Sequence, residues 1–560
     1  MPTPEFRWSE YEVRVPRTSP LISFRARLRS SSVAEESVTI PLPDLSAWQS
    51  PLDKAKILLE SAAEIEHALM AQYLYAAYSL KSKKDVSDPA QKKVLDEDDR
   101  SSTSWPTRIL GIAREEMGHL ITVQNLLLAL GLPPNLERED FPPRKDLYPF
   151  ALHLEPLSQH SLAKYVVAEA PVDALDIDDI KHVAQGSAAP INHVGVLYGL
   201  LGLVFATPQQ VQEGAISGDS WDAMVGHLAM AVHRQASPDS WHLPDSAFEV
   251  GTLEQQAEPS DWQVPGLRVH RVADRATARA AIRDIGEQGE GPTDSDEGSH
   301  FERFRLIYRG KAGVPAFPAG EWIPTRKVST DPQVTYIVDQ RTRRWAELAD
   351  LRYGLLLGFV EHYLLTSGDD RKLLTAWIFA EMRSRVGFLA RKLTTMSTGV
   401  GDGVASIPFT LPVQMHLPGA ETARWTVHKQ RIEAAVAKVQ EIQAAPTDDE
   451  TELPYLSGLL TSDQARLAFI ATRISLSTAT TSFSRDILPL FRPVDIEHMT
   501  DRGLDLSVYE VVKNSAREIL DKLKNPHPPS GGPMPPPPHQ RWTEAQTDLF
   551  ERWKTEGFPM

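Results

Sequence analysis

The chain has no cysteine in its 560 residues. That single absence removes disulfides, thiolate metal sites, iron–sulfur clusters held by this chain and a cysteine nucleophile, and it is compatible with a reducing compartment. Long apolar runs are also missing. Nowhere do about eighteen uncharged apolar residues follow one another, so no membrane partner is expected. The N-terminal stretch from Met1 to Val15 carries three acids and no apolar core of signal-peptide length, which reads as a cytoplasmic protein. An excess of basic charge is lacking as well: the formal charge is −16. Phosphate binding needs a dense basic surface, so no nucleic-acid partner is expected. Arg25, Arg27 and Arg29 alternate with Ala26 and Leu28, the pattern of a strand with one solvated face.

What is present is a hydrophobic content of 41%, enough for two or more domains that each bury a core. Residues 1–50, rich in Val, Arg, Phe and Ser, read as an extended or stranded arm. From Leu52 the apolar residues recur every three or four positions for about six turns, which predicts a long helix ending near Leu80. A polar loop follows, then a second long helix from Trp105 that Gly131 and Pro133 stop. Residues 132–157 hold six prolines and read as an irregular crossover. Helices resume at Leu162–Ala170 and at Ile191–Ala206, the latter apolar on nearly every side and hence buried. An insertion over 208–268 precedes a fourth bundle helix, Ala276–Gln288, and a further helix carrying Glu297 and His300. The expected organisation is therefore mainly α: a four-helix bundle over 51–310, a linker with strands over 311–340, a helical region over 341–525, and a proline-rich tail with a short terminal helix over 526–560.

Two Glu-x-x-His patterns stand out, Glu116 with His119 and Glu297 with His300. On a helix, residues three apart share a face, so a carboxylate and an imidazole reach one point from a single backbone segment. Such donors suit iron or manganese better than zinc. Two of these pairs, with a glutamate from each of the other two helices, form the recurring plan of dinuclear carboxylate sites in four-helix bundles. Glu66, on the same side of its helix as Leu69, Tyr73 and Ala77, is the natural third contributor. The bland alternative is a solvated face at Arg114, Glu115 and Glu116. Tyr73 and Tyr198 lie on helices of the bundle, where a tyrosine either packs with its hydroxyl satisfied or takes part in chemistry near a metal. His362, in a core-like helix, leaves haem open.

The segments IEHALMAQYLYAAYS (65–79), AREEMGHLITVQNLLLALGLPP (113–134), EAP (169–171) and IGEQGEGPTDSDEGSHFERF (285–304) together resemble the ferritin-like family named for iminophenylpyruvate dimer synthase. That family includes imine-coupling proteins of violacein and indolocarbazole biosynthesis. The resemblance covers roughly residues 50–310, and the stretch from Arg352 to Pro412 is similar to the helical extension beside that domain. It implies metal ligands at Glu66, Glu116, His119, Glu297 and His300. At the third helix the chain departs from the family, because Val196 stands where a carboxylate is expected. Three substitutes are open: Glu169 or Glu290 fills in, His193 supplies a nitrogen, or the site holds one metal instead of two.

The function this implies is an iron-dependent oxidase or oxygenase of secondary metabolism that couples imines derived from aromatic amino acids, with dioxygen or peroxide as co-substrate. The alternatives are a non-haem iron enzyme performing hydroxylation, desaturation or C–C cleavage, and a non-catalytic ferritin-like iron-binding or scaffold protein. An enzyme predicts a substrate-sized void beside Glu116, closed between the bundle and the appended helices. The oligomeric state stays open, a homodimer included.

Overall fold

A computed structural model describes the chain apart from residues 1–7, 17–36, 98–102, 144–146, 149, 172–173, 175–176, 187–192, 217–219, 234–236, 291–297, 312–314, 318–321, 413–414, 446–448, 479–480, 501 and 526–541. The basic run at Arg25–Arg29 and the proline-rich tail therefore lie outside the described residues. Contacts divide the chain into two compact units, Met1–Gln464 and Ala465–Met560. Residues 51–310, 311–340 and the first part of 341–525 thus share one unit.

The first unit opens with β1 (Trp8–Pro16) paired antiparallel to β2 (Ser37–Pro43). Helix α1 (Pro51–Ser79) follows at once, started by Ser50, whose hydroxyl accepts from the Asp53 amide, with Pro51 in the first turn. Helix α2 (Trp105–Ala129) begins the same way, on Ser104 and Pro106. The two lie along each other, buried on nearly every side. Gly118 of α2 makes one close approach work: a Cβ there would lie 2.4 Å from the backbone oxygen of Arg268.

Helix α3 (Gln159–Ala168) stops at Glu169 because Ala170 precedes Pro171, and a residue before proline is driven out of the helical region. The apolar helix α4 (Val194–Phe205) packs on α1, on α5 (Ser220–Val232) and on α6 (Arg275–Glu290). Gly286 of α6 is needed against α5, since a Cβ there would fall 2.3 Å from the Trp221 ring. Helix α7 (His300–Arg309), capped by Ser299, runs against α3 and touches α2 and α6. Helices α1, α2, α4 and α6 form the bundle, and α3 and α7 close one side of it. Between 310 and 340 the described residues form an isolated bridge, Leu80 to Thr325, and a 3-10 turn at Val334–Tyr336, but no ladder strand. Prolines at 315, 324 and 332 deprive that stretch of ladder donors.

Beyond it, α8 (Gln340–Leu365), started by Asp339, packs on α9 (Asp369–Ala380), on one wide π turn (Glu381–Val386) and on α10 (Glu421–Gln443). Its core holds Trp345, Phe359 and Trp425, and a fully buried ion pair joins Arg352 to Asp463. In the second unit, α11 (Tyr509–Lys524) buries Val512, Ala516, Ile519, Leu520 and Leu523 at helical spacing. These pack with Phe483 and with Phe550 and Trp553 of α12 (Glu544–Thr555). Among the described residues no helix is long and apolar enough to cross a membrane.

Candidate metal centre

Inside the bundle, three carboxylates and two imidazoles converge. Glu66 of α1, with Glu116 and His119 of α2, form one trio whose donor atoms lie within 4.8 Å of one another. Glu116, Glu169 and His300 form a second. Glu116 belongs to both. His119 Nδ1 stands 3.0 Å from Glu116 Oε2 and 3.4 Å from Glu66 Oε2. His300 Nδ1 stands 3.0 Å from Glu116 Oε1 and 3.5 Å from Glu169 Oε2. All five side chains are buried.

The groups that hold these side chains are as definite as the cluster. Tyr198 of α4 donates to Glu66 Oε1 at 2.5 Å, and Tyr73 of α1 donates to Glu169 Oε1 at 2.5 Å. Tyr73 is itself wedged between the Tyr165 and Phe304 rings, with centroids 5.0 and 4.8 Å away. His119 directs Nε2 at Gln288 Oε1 of α6, 3.0 Å away. His300 directs Nε2 at Glu115 Oε2, 2.8 Å away, and Arg303 grips both oxygens of Glu115.

Burial sets the charge state first, and the partners then correct it. Burial and the neighbouring Glu116 push Glu66 up to about 8. Burial opposes ionisation of Glu116 too, but His300 and His119 outweigh it and hold its carboxyl well below the usual range. Burial alone would lower His119, whereas Glu116 and Glu66 raise it to about 10. His300 is likewise raised well above its ordinary value, against burial, by Glu116, Glu115 and Glu169. Glu169 is raised by burial and by Glu116. Without a cation, the site is therefore neutralised by protons.

A metal fits this donor set. Glu66 Oε2, Glu116 Oε1 and His300 Nδ1 are buried in the cluster, and although Glu116 Oε1 and His300 Nδ1 lie 3.0 Å apart and Glu66 Oε2 lies 3.4 Å from His119 Nδ1, none of the three makes a well-directed hydrogen bond. Orphaned buried polar atoms are costly unless something else pairs with them. Two imidazoles and three carboxylates are donors suited to iron or manganese.

Of the residues singled out in the sequence, Glu66, Glu116, His119 and His300 meet here. Glu169 meets them as well, and Val196 of α4 is buried. His193 does not join. It precedes α4 and donates Nδ1 to the Ala170 carbonyl at 3.0 Å, and burial lowers it to about 4. Glu290 ends α6, with its side chain outside the described residues, and Glu297 lies outside them altogether. Helix α7 begins at His300, after Ser299, so its described helical turns begin past Glu297. Glu115 is buried rather than solvated. The sequence reading missed Gln288 and Arg303. Arg303 had a signal, since it follows His300 by one helical turn. His362 engages both ring nitrogens, Nδ1 with His428 at 3.0 Å and Nε2 with Glu421 at 2.8 Å, so neither faces a haem.

Among the described residues, the cavity beside Glu116 measures about 20 Å³, smaller than the expected substrate-sized void, and is lined by bundle residues, among them Leu69, Val194, Gly195, Ile285 and Gly289. That volume admits about one water.

Residues 59–309 match the ferritin-like family model. This segment is a ferritin-like domain. The chain is 27% identical over 73% of its length to a dichlorochromopyrrolate synthase of Lentzea aerocolonigenes, covering 42% of that protein. It is 32% identical over 71% of its length to a 2-imino-3-(indol-3-yl)propanoate dimerase of Chromobacterium violaceum, covering 38% of it. The chain thus spans about two fifths of the length of the curated relatives it matches. A crystal structure of a ferritin like protein from Caulobacter vibrioides is similar to 59% of this chain and 94% of its own, at 16% identity and a TM-score of 0.30.

Proposed function

We propose that the ferritin-like domain binds two iron ions, one in each trio, and acts as an oxidase or oxygenase on a small imine derived from an aromatic amino acid. The sharing of Glu116 between two trios of donors carries the metal part of the reading. The names of the two relatives support the substrate class. Bound iron would supply one-electron chemistry toward dioxygen or peroxide. The protein's own contribution is to hold and insulate. Glu66, Glu116, Glu169, His119 and His300 would hold the ions, while Tyr198 and Tyr73 keep the two outer carboxylates oriented through 2.5 Å hydrogen bonds. Leu69, Val194 and Ile285 line the cavity beside the cluster.

The cavity's size favours keeping a second reading. A space for one water accommodates a small oxidant but not an indole, so a non-catalytic iron-holding protein would need no more room than this. One experiment separates the two. The protein is loaded anaerobically with ferrous iron, given 2-imino-3-(indol-3-yl)propanoate generated in place, and exposed to dioxygen or peroxide. Mass spectrometry then follows the imine. Oxidised or coupled product, absent with Glu116→Gln, supports the enzyme. Iron bound without imine consumption supports the second reading, and no bound iron refutes both.

A further inference from the structure

The two halves of the cluster are built alike toward their carboxylates and differently behind their imidazoles. Glu66 and Glu169 each accept one tyrosine hydroxyl at 2.5 Å, from Tyr198 and Tyr73. His119 and His300 each present Nδ1 to Glu116 at 3.0 Å. Behind His300, Nε2 meets a carboxylate, Glu115, that Arg303 clamps through both oxygens, and the arrangement is buried. Behind His119, Nε2 meets the neutral amide of Gln288. The nearby carboxylate on that side, Asp284, one turn earlier on α6, is engaged by His270 at 2.7 Å and faces Arg268 at 3.6 Å.

An outer carboxylate fixes a ligating histidine's orientation and strengthens it as a donor, and removing such a partner commonly weakens metal binding about 10- to 100-fold. A neutral amide fixes the ring but adds less donor strength. Among the described residues, the clamp by Arg303 adds rigidity on the His300 side alone, since both groups lie on α7 one turn apart. We infer that Glu115 is a positioning residue that makes the Glu116–Glu169–His300 trio the tighter of two unequal metal positions, filled first, with the Glu66–Glu116–His119 trio filled second. This inference rests on the metal reading above. It deepens that reading by assigning an order of loading to the two positions.

The test is an anaerobic titration of the full-length protein with ferrous iron, and in parallel with Mn(II), against a competing chelator, with bound metal counted at each step. The expected wild-type result is two ions in two resolved steps. Glu115→Gln is expected to weaken the first step about 10- to 100-fold and leave the second within about threefold. Gln288→Glu is expected to tighten the second step and bring the two together. His300→Ala abolishes the tight step, and His119→Ala the weak one. Because Glu115→Gln leaves Arg303 without its anion, the double variant Glu115→Gln/Arg303→Met is measured alongside, with folding checked by circular dichroism, and is expected to reproduce the loss. Two equal steps in the wild type, or equal loss at both steps in the Glu115 variants, overturn the inference while leaving the metal reading intact. No bound metal in the wild type overturns both.

Discussion

Adding ferrous iron to the metal-free protein at pH 7 should expel about three protons per chain. The count follows from the groups that must empty. His119, raised to about 10 by its two glutamates, and His300, raised well above its ordinary value, each hold a proton that competes with a metal. Glu66, pushed to about 8, is about nine-tenths protonated at pH 7. Glu169, also raised, adds to the release to the extent that it is still protonated. Each released proton makes the overall affinity climb about tenfold per pH unit, so binding of the pair of ions should strengthen about a thousandfold from pH 6 to pH 7. Calorimetric titrations in buffers of different ionisation enthalpy measure the release directly. Glu66→Gln, which has no proton to lose at that position, should release about one fewer. A release below one proton per chain, or one unaltered by Glu66→Gln, would refute the assignment of charge in this cluster.

Three further outcomes follow from the same contacts. In the metal-free protein, Glu66 and His119 both have raised values, so the stability they contribute is present at low pH and is lost as pH rises from about 4.5 to 8 and from about 6.5 to 10 respectively. The melting temperature without metal should therefore fall between pH 6 and pH 9, and saturating metal should flatten that slope; a metal-free melting temperature that rises over this interval would contradict it. Glu115 runs the opposite way: held at about 2 against burial by His300 and Arg303, it stabilises above about 4.5 and loses that contribution as pH falls toward 2, so an acid titration of Glu115→Gln should lack that component. Arg352→Met removes the buried guanidinium that pairs with Asp463 and faces Glu381 and should cost about 3–5 kcal/mol by denaturant unfolding, and a loss under 1 kcal/mol would contradict it.

Much of the bundle was legible because its signals are local. Apolar spacing from Leu52, the start at Trp105 and the Gly131 stop marked α1 and α2 within a residue or two. Glu66, Glu116 and His119 could be read because all three sit on those two helices, where helical spacing fixes direction. The other half of the cluster depends on tertiary placement. Glu169 lies at a helix end, where spacing predicts no direction, and only the packing of α3 against α7 brings it to His300. His300 looked like the second half of a helical pair, and it opens a helix that Ser299 caps, with Glu297 outside the described residues. The missing carboxylate at Val196 was visible as a gap. What would stand in for it stayed an open choice, because nothing in the sequence says which of Glu169, Glu290 and His193 faces inward. Gln288 carries no pattern at all and is defined only by the ring it meets.

The claim on which the rest depends is that Glu116 serves two metal positions at once. Elemental analysis after anaerobic loading with ferrous iron and desalting tests it: the wild type should retain about two ions per chain, and Glu116→Ala should retain neither, while His119→Ala keeps one. A wild type without bound metal, or a folded Glu116→Ala protein that still holds two ions, would contradict it.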